Sequence, residues 1–139
     1  MVFKGIRYEC MSTWVYEDTV GGEYIVVDIF KALAEESRLR ILALLMQDEM
    51  CVCEIEECLS MTQSNVSRHL TTLKQCGILD SYKKAQWAYY KIDNNFIEQN
   101  PDLFSYLIKE LKRLPCYNSD CEKWGKCKLQ DLCDCKMKT

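Results

Sequence analysis

The chain has 139 residues, which fits one domain with a modest core, and its 48% hydrophobic content is ordinary for a globular protein. It has no run of 18 apolar residues and no leader pattern, so a soluble, cytoplasmic protein with no membrane partner is expected. A net charge of −3 excludes a general polyanion coat, and ten cysteines in such a chain argue for thiol chemistry over a disulfide framework.

In chain order, residues 1–22 show no helical period and end in Gly21-Gly22. They are expected to form an arm carrying Cys10, Trp14 and Tyr16. The main domain is expected over residues 23–114 and a Cys-rich tail over 115–139. A helix is predicted from near Glu23, with Val26, Val27, Phe30 and Leu33 as its apolar stripe. The next runs from about Ser37 to Met46, with Leu39, Ile41, Leu42 and Leu45 as core. A short third helix spans about Val52 to Leu59. Thr62 suits the N-cap of a fourth helix, Gln63 to about Gln75, which Gly77 terminates. On that helix Val66, Leu70 and Leu73 fall on one face, leaving short polar side chains and Arg68 outside.

Two strands follow, Ile78–Tyr82 and Trp87–Ile92, with a basic tip at Lys83-Lys84-Ala85-Gln86. A fifth helix starts at Asn94 or Pro101, with Leu103, Phe104, Leu107, Ile108 and Leu111 as its apolar face. The tail holds Cys116, Cys121, Cys127, Cys133 and Cys135 and suits a helix over about Asn118–Leu132. The fold class is therefore mainly α with a small β-wing: a winged helix-turn-helix, with apolar N- and C-terminal helices that invite dimerisation.

Charge follows the same organisation. Between Thr62 and Ile92 five cations (Arg68, Lys74, Lys83, Lys84, Lys91) face one anion, Asp80. A locally positive segment in an acidic chain fits selective phosphate contact. The N-terminal half of a recognition helix reaches the groove floor, which makes Gln63, Ser64, Ser67 and Arg68 the base-edge candidates. Arg68 suits guanine and Gln63 adenine. Thr62, His69, Thr71 and Lys74 are placed for phosphates. Lys83, Lys84 and Gln86 on the wing add backbone or minor-groove contact.

Met50-Cys51-Val52-Cys53-Glu54-Ile55 lies just ahead of that reader. Soft thiolates bind soft metals and metalloids. On a regular helix Cys51 and Cys53 would point about 200° apart, so the pair serves one ion only where the backbone is extended or just entering a helix. Cys58 returns to the face of Cys51 but about 10.5 Å further along, so its use as third ligand requires unwinding the helix start.

Phe30-Lys31-Ala32-Leu33-Ala34, Ser37-Arg38-Leu39-Arg40-Ile41-Leu42, Gln63-Ser64-Asn65-Val66-Ser67-Arg68-His69-Leu70 and Leu73-Lys74-Gln75-Cys76-Gly77-Ile78-Leu79 resemble the ArsR/SmtB family of metal-responsive repressors over roughly residues 25–112. The segment around Cys51 and Cys53 looks like that family's metal-box. The resemblance implies a homodimeric repressor on double-stranded operator DNA, with no permanent cofactor, that lets go when inducer binds. The inducer implied is As(III) or Sb(III), with Cd(II) or Pb(II) as the alternative. The zinc-type site of the last dimer helix is absent, since His69 is the chain's only histidine. Many arsenite sensors have a third cysteine where this chain has Glu56, and the wing tip usually has Gly where this chain has Ala85. The cadmium/lead sensors supply a cysteine from the arm, which makes Cys10 the other third-ligand candidate; a tail cysteine or a small cellular thiol is a further one. The tail cysteines suit a second metal or metalloid site, or redox-active thiols. Cys76 is expected to pack as a small hydrophobe. A thiol redox sensor that binds DNA is the reading from another class, and no enzyme chemistry is evident.

Overall fold

The computed structural model describes residues 26–130, together with the strands Ile6–Cys10 and Thr13–Tyr16 as backbone. Those two strands, β1 and β2, pair antiparallel, with a register slip between Tyr8 and Cys10. Part of the expected arm is thus a hairpin. Ile6, Tyr8, Thr13, Trp14, Val15 and Tyr16 are β-branched or aromatic residues of the kind strands favour, a signal that a search for helical period alone passes over.

Helix α1 spans Val26–Leu33; Glu23, its expected start, lies outside the described residues. The predicted apolar stripe divides between core and surface. Ile29, Ala32 and Leu33 are buried, while Val26, Val27 and Phe30 are 59%, 51% and 56% exposed. Leu33 of the stripe joins Ile29 and Ala32 in the core, and the rest of the stripe is an apolar surface. Helix α2, Glu36–Leu45, begins at Glu35, whose carboxylate accepts from the Ser37 and Arg38 N–H groups at 3.1 Å each. Such a cap satisfies orphan donors of the first turn. Ile41 to Leu45 are all buried, so α2 is the central helix of the core, with Leu39 half-buried beside it.

A two-residue strand, β3 (Met50–Cys51), then runs directly into α3 (Val52–Leu59). The sequence patterns above do not anticipate β3. It pairs antiparallel with the second wing strand, Met50 opposite Tyr90 and Cys51 opposite Tyr89. Helix α3 ends at Ser60 in the left-handed region, φ 53. Thr62 then opens α4 (Gln63–Gln75), its hydroxyl accepting from the Asn65 N–H at 3.4 Å. Val66, Leu70 and Leu73 are fully buried, as the periodicity predicts.

Gly77, at φ 75, ends α4. Its N–H donates to the Lys74 carbonyl and that of Ile78 to the Leu73 carbonyl, both at 3.0 Å, the paired bonds of a glycine C-cap. The wing strands β4 (Leu79–Lys84) and β5 (Trp87–Ile92) follow, and the sheet order is β3-β5-β4. Lys83 and Lys84 therefore belong to β4, and only Ala85 and Gln86 form the tip.

The alternative starts for the fifth helix are both used: α5 is Asn94–Gln99 and α6 is Pro101–Leu111. Pro101 has no N–H to continue the first ladder and suits the first position of a new helix. Leu107 and Leu111 are buried, Leu103 and Phe104 half-buried, and Ile108 faces outward. The tail is helical as α7, Tyr117–Gln130, and it docks on α2 and α3. Arg40 and the buried Asp120 form a two-pronged ion pair with both bonds at 2.8 Å, and Tyr117, Trp124 and Cys127 pack on the core.

Candidate thiol site and nucleic-acid interface

Cys51 sits at the strand-to-helix pivot in extended conformation, φ −83 and ψ 164, and Cys53 lies in the first turn of α3. The pivot removes the opposed directions of a regular helix: the two sulfurs are 2.7 Å apart, Cys51 as a free thiol and Cys53 in a disulfide. Glu54 anchors the pivot, its carboxylate accepting from the Cys51 N–H at 2.9 Å. Cys51 is buried, and that burial, with the Glu54 carboxylate adding to it, pushes its thiol up to about 11. At neutral pH Cys51 holds its proton until a ligand displaces it.

The pair opens on a cavity of about 840 Å³ whose wall also includes Glu56, Gln63, Trp87 and Cys127. One wall thus belongs to α3, one to the start of α4, one to the wing and one to α7. The indole Nε1 of Trp87 is buried without a hydrogen-bond partner among the described residues. A buried donor of that kind is unsatisfied at a free-energy cost, and a polar ligand in the cavity would relieve it.

Cys58 is fully buried and faces Cys127, sulfur to sulfur at 4.0 Å. Burial first, then Cys127, holds its thiol far above the ordinary range. The resting structure therefore does not gather Cys51, Cys53 and Cys58. Among the described residues no three Cys, His, Asp or Glu side chains stand together as a metal site. Of the tail cysteines, Cys127 reaches the cavity. Cys116 is half-buried near Arg40 and Asp120, its thiol raised by burial, and Cys121 is half-buried beside Tyr117. Cys76 packs on the core with its sulfur 3.6 Å from the Asp28 carbonyl. The side chain of Cys10, and Cys133 and Cys135 altogether, lie outside the described residues.

On the reader helix Thr62, Gln63, Ser64, Arg68, Thr71 and Lys74 are exposed and Ser67 is half-buried. Asn65 is exposed beside them. The sequence reading passes over it, although its place between Ser64 and Val66 is a readable signal. His69 departs from expectation. It is buried against α2, its Nδ1 3.4 Å from Arg38 Nη1 and 3.5 Å from Glu35 Oε2, so it is withdrawn from phosphate. The Thr71 hydroxyl donates to the Ser67 carbonyl at 2.8 Å. Lys74 Nζ donates to the Ser81 hydroxyl of β4 at 2.5 Å, tying reader to wing. Lys83, Lys84 and Gln86 are exposed on the wing, and Gln86 also lines the cavity.

The sulfur pair connects to this surface through the sheet. Cys51 is laddered to Tyr89, Tyr89 stacks on Tyr82 with ring centroids 5.6 Å apart, and the Tyr82 hydroxyl donates to Glu49. Helix α3 also packs directly on α4. Displacement of the pivot thus bears on both α4 and the wing.

Residues 35–81 match the profile of the bacterial regulatory proteins of the arsR family. The cadmium resistance transcriptional regulatory protein CadC of Listeria innocua is 41% identical over 95 residues, covering 61% of this chain and 80% of that protein. The arsenic resistance transcriptional regulator ArsR1 of Pseudomonas putida is 42% identical over 65 residues, 46% of this chain; the match spans about half, 51%, of that regulator. Among solved structures, the homodimeric winged helix-turn-helix DNA-binding domain of Mb0332 from Mycobacterium bovis is 30% identical with a TM-score of 0.53, covering 61% of this chain and 79% of that one.

Proposed function

Because this chain belongs to the arsR family of bacterial regulatory proteins, we propose that it is a cytoplasmic repressor that binds operator DNA as a homodimer and lets go when As(III) or Sb(III) binds Cys51 and Cys53. Its winged helix-turn-helix supplies the reader. The observation that carries the proposal is the 2.7 Å separation of two sulfurs on a pivot laddered to the wing. A soft ion that draws both sulfurs to itself changes the angle at which β3 becomes α3. Cys53 is disulfide-bonded in this structure, so its ligand role begins with the reduced protein. A third sulfur comes from Cys58, which must leave Cys127 and unwind α3, or from Cys10.

The exposed apolar residues Val26, Val27 and Phe30 of α1 and Tyr106 and Ile108 of α6 supply the dimer surface. A twofold dimer needs half-sites about 34–36 Å apart, one DNA turn, or a multiple. Near-complete switching requires the inducer to favour the DNA-free conformation by roughly 5.5 kcal/mol, which two sites in a dimer share.

Cd(II) or Pb(II) as inducer is the second reading. It is favoured by the Glu54, Glu56 and Glu57 carboxylates that line the same cavity, because a cation gains from them and neutral arsenous acid does not. Titration of the reduced full-length protein on labelled operator DNA, with arsenite in one series and cadmium in the other, tests both. Release by arsenite that disappears in Cys51→Ser/Cys53→Ser supports the proposal. Release by arsenite that survives the double replacement overturns it, and release by cadmium alone selects the second reading.

A further inference from the structure

Cys58 and Cys127 stand outside the Cys51–Cys53 pair and form a pair of their own. Their sulfurs meet at the contact of α3 with α7, although 69 residues separate them in sequence. Cys58 is completely enclosed, whereas Cys127 is half-buried and lines the cavity. The helix that carries Cys127 is fastened along its length, by Tyr117 to Gln47, Asp120 to Arg40, Lys123 to Ser60 and Lys128 to Asp48. Two packed helices therefore set the 4.0 Å spacing.

That spacing is far beyond a disulfide bond of about 2.05 Å. It is the spacing of two sulfurs in contact, and a pyramidal trivalent centre with sulfur bonds of about 2.3 Å needs them about 3.4 Å apart, so a side-chain shift of roughly half an ångström lets one atom bridge the pair. Among the described residues no further Cys, His, Asp or Glu joins them in a set of three. A fitting ligand needs two sulfurs and brings its remaining substituent with it.

We propose that Cys58 and Cys127 form a second site, distinct from the Cys51–Cys53 pair, that takes a monosubstituted trivalent arsenical, R–As(OH)2, and so bridges α3 to α7. Two As–O bonds break and two As–S bonds form. Each thiol proton leaves with a hydroxide as water, and arsenic stays trivalent. The product is uncharged, which suits an enclosed position where a lone thiolate is costly. Inorganic arsenous acid has a third hydroxyl with no third sulfur to replace it here. This second site coexists with an inducer site completed by Cys10 and competes for Cys58 with one completed by Cys58.

The test uses the reduced full-length Cys51→Ser/Cys53→Ser protein with phenylarsine oxide as probe. Intact-mass measurement should show one arsenical bound with loss of two water molecules relative to the dihydroxy form. Proteolysis should yield one arsenic-linked peptide pair, containing Cys58 and Cys127. Adding Cys127→Ser should weaken binding at least tenfold, and adding Cys58→Ala should do the same. Unchanged affinity in the Cys127→Ser variant, or arsenic linking any other two cysteines, overturns the site. If Cys58→Ala fails to fold by circular dichroism, the Cys127→Ser variant and the peptide map decide. The background lacks Cys51 and Cys53, so failure here leaves the inducer reading standing, and operator release tests that reading separately.

Discussion

Cys51 and Tyr89 are paired residues of one antiparallel ladder. A buried sulfur that lines the cavity and a ring on the wing are thus joined through backbone hydrogen bonds. Tyr89 passes the connection to Tyr82 by stacking, and Tyr82 returns it to Glu49, next to β3. Energetic coupling between sites is carried by packed, hydrogen-bonded elements of this kind. Replacing Tyr89 with Ala removes the stack and leaves both sulfurs in place. The variant should still bind arsenite, with the ratio of operator affinities before and after inducer reduced at least fivefold. Fluorescence anisotropy on labelled DNA measures both.

Arg68 is the long cation exposed in the first half of α4. Arg68→Ala should weaken operator binding by about 1–3 kcal/mol if it makes a bidentate base contact. It should also relax preference at one base position. Lys83→Ala on the wing should weaken all sequences alike and lower the salt dependence. Unchanged affinity and preference in Arg68→Ala would remove it from the base-reading set.

His69 gives stability a pH dependence whose sign can be worked out. Burial lowers its pKa from the ordinary 6.5; Glu35 opposes this, while Arg68 and Arg38 reinforce it. The folded state therefore binds the proton less readily than the unfolded chain. The contribution is complete above about 6.5 and is lost as pH falls through the lowered folded value. Urea midpoints between pH 7.5 and 5.5 should fall in the native sequence and fall less in His69→Gln. Equal slopes in the two proteins would show that His69 does not supply this dependence.

Asp120 is the buried half of the pair that fastens α7, and the Arg40 side chain is only 20% exposed. Asp120→Ala leaves a mostly enclosed guanidinium without its carboxylate. Breaking buried pairs costs about 3–5 kcal/mol, and residual exposure of Arg40 places this case near the lower end, about 3 kcal/mol. Equilibrium urea unfolding measures the loss. Limited proteolysis should cut first between Leu114 and Tyr117 in the variant.

Ala85 occupies the wing tip at φ 57, where a side chain is strained and glycine is not. Ala85→Gly should raise stability by about 1 kcal/mol, since relief of roughly 1–2 kcal/mol exceeds the added unfolded-state entropy. Thermal unfolding reads this directly, and an unchanged or lower midpoint would contradict it.

The parts legible from sequence are those governed by local chemistry. Helix α4 can be read to its end residues because Thr62 and Gly77 mark its boundaries by capping. The core face of α4 follows from Val66, Leu70 and Leu73. What escapes depends on partners distant in the chain. Which apolar residues of α1 meet the core escapes the sequence, because Val26, Val27 and Phe30 repeat as well as Ile29, Ala32 and Leu33 do, and only packing on α2 decides. His69 looks like a surface residue until Glu35 and Arg38 of the α2 region close over it. Cys51 reads as a member of a pair, but β3 and its bond to the wing require β5, nearly forty residues later. The meeting of Cys58 with Cys127 lies beyond any spacing rule.

Gly77 has a use that its capping bonds do not exhaust. It joins α4 to β4 at φ 75, and so sets the angle between the helix and the ribbon that the proposed function lays on DNA. A side chain there would tilt one against the other without touching any sulfur. Gly77→Ala should thus take up arsenicals as before and yet lose its grip on the duplex, separating hearing from speech in one molecule.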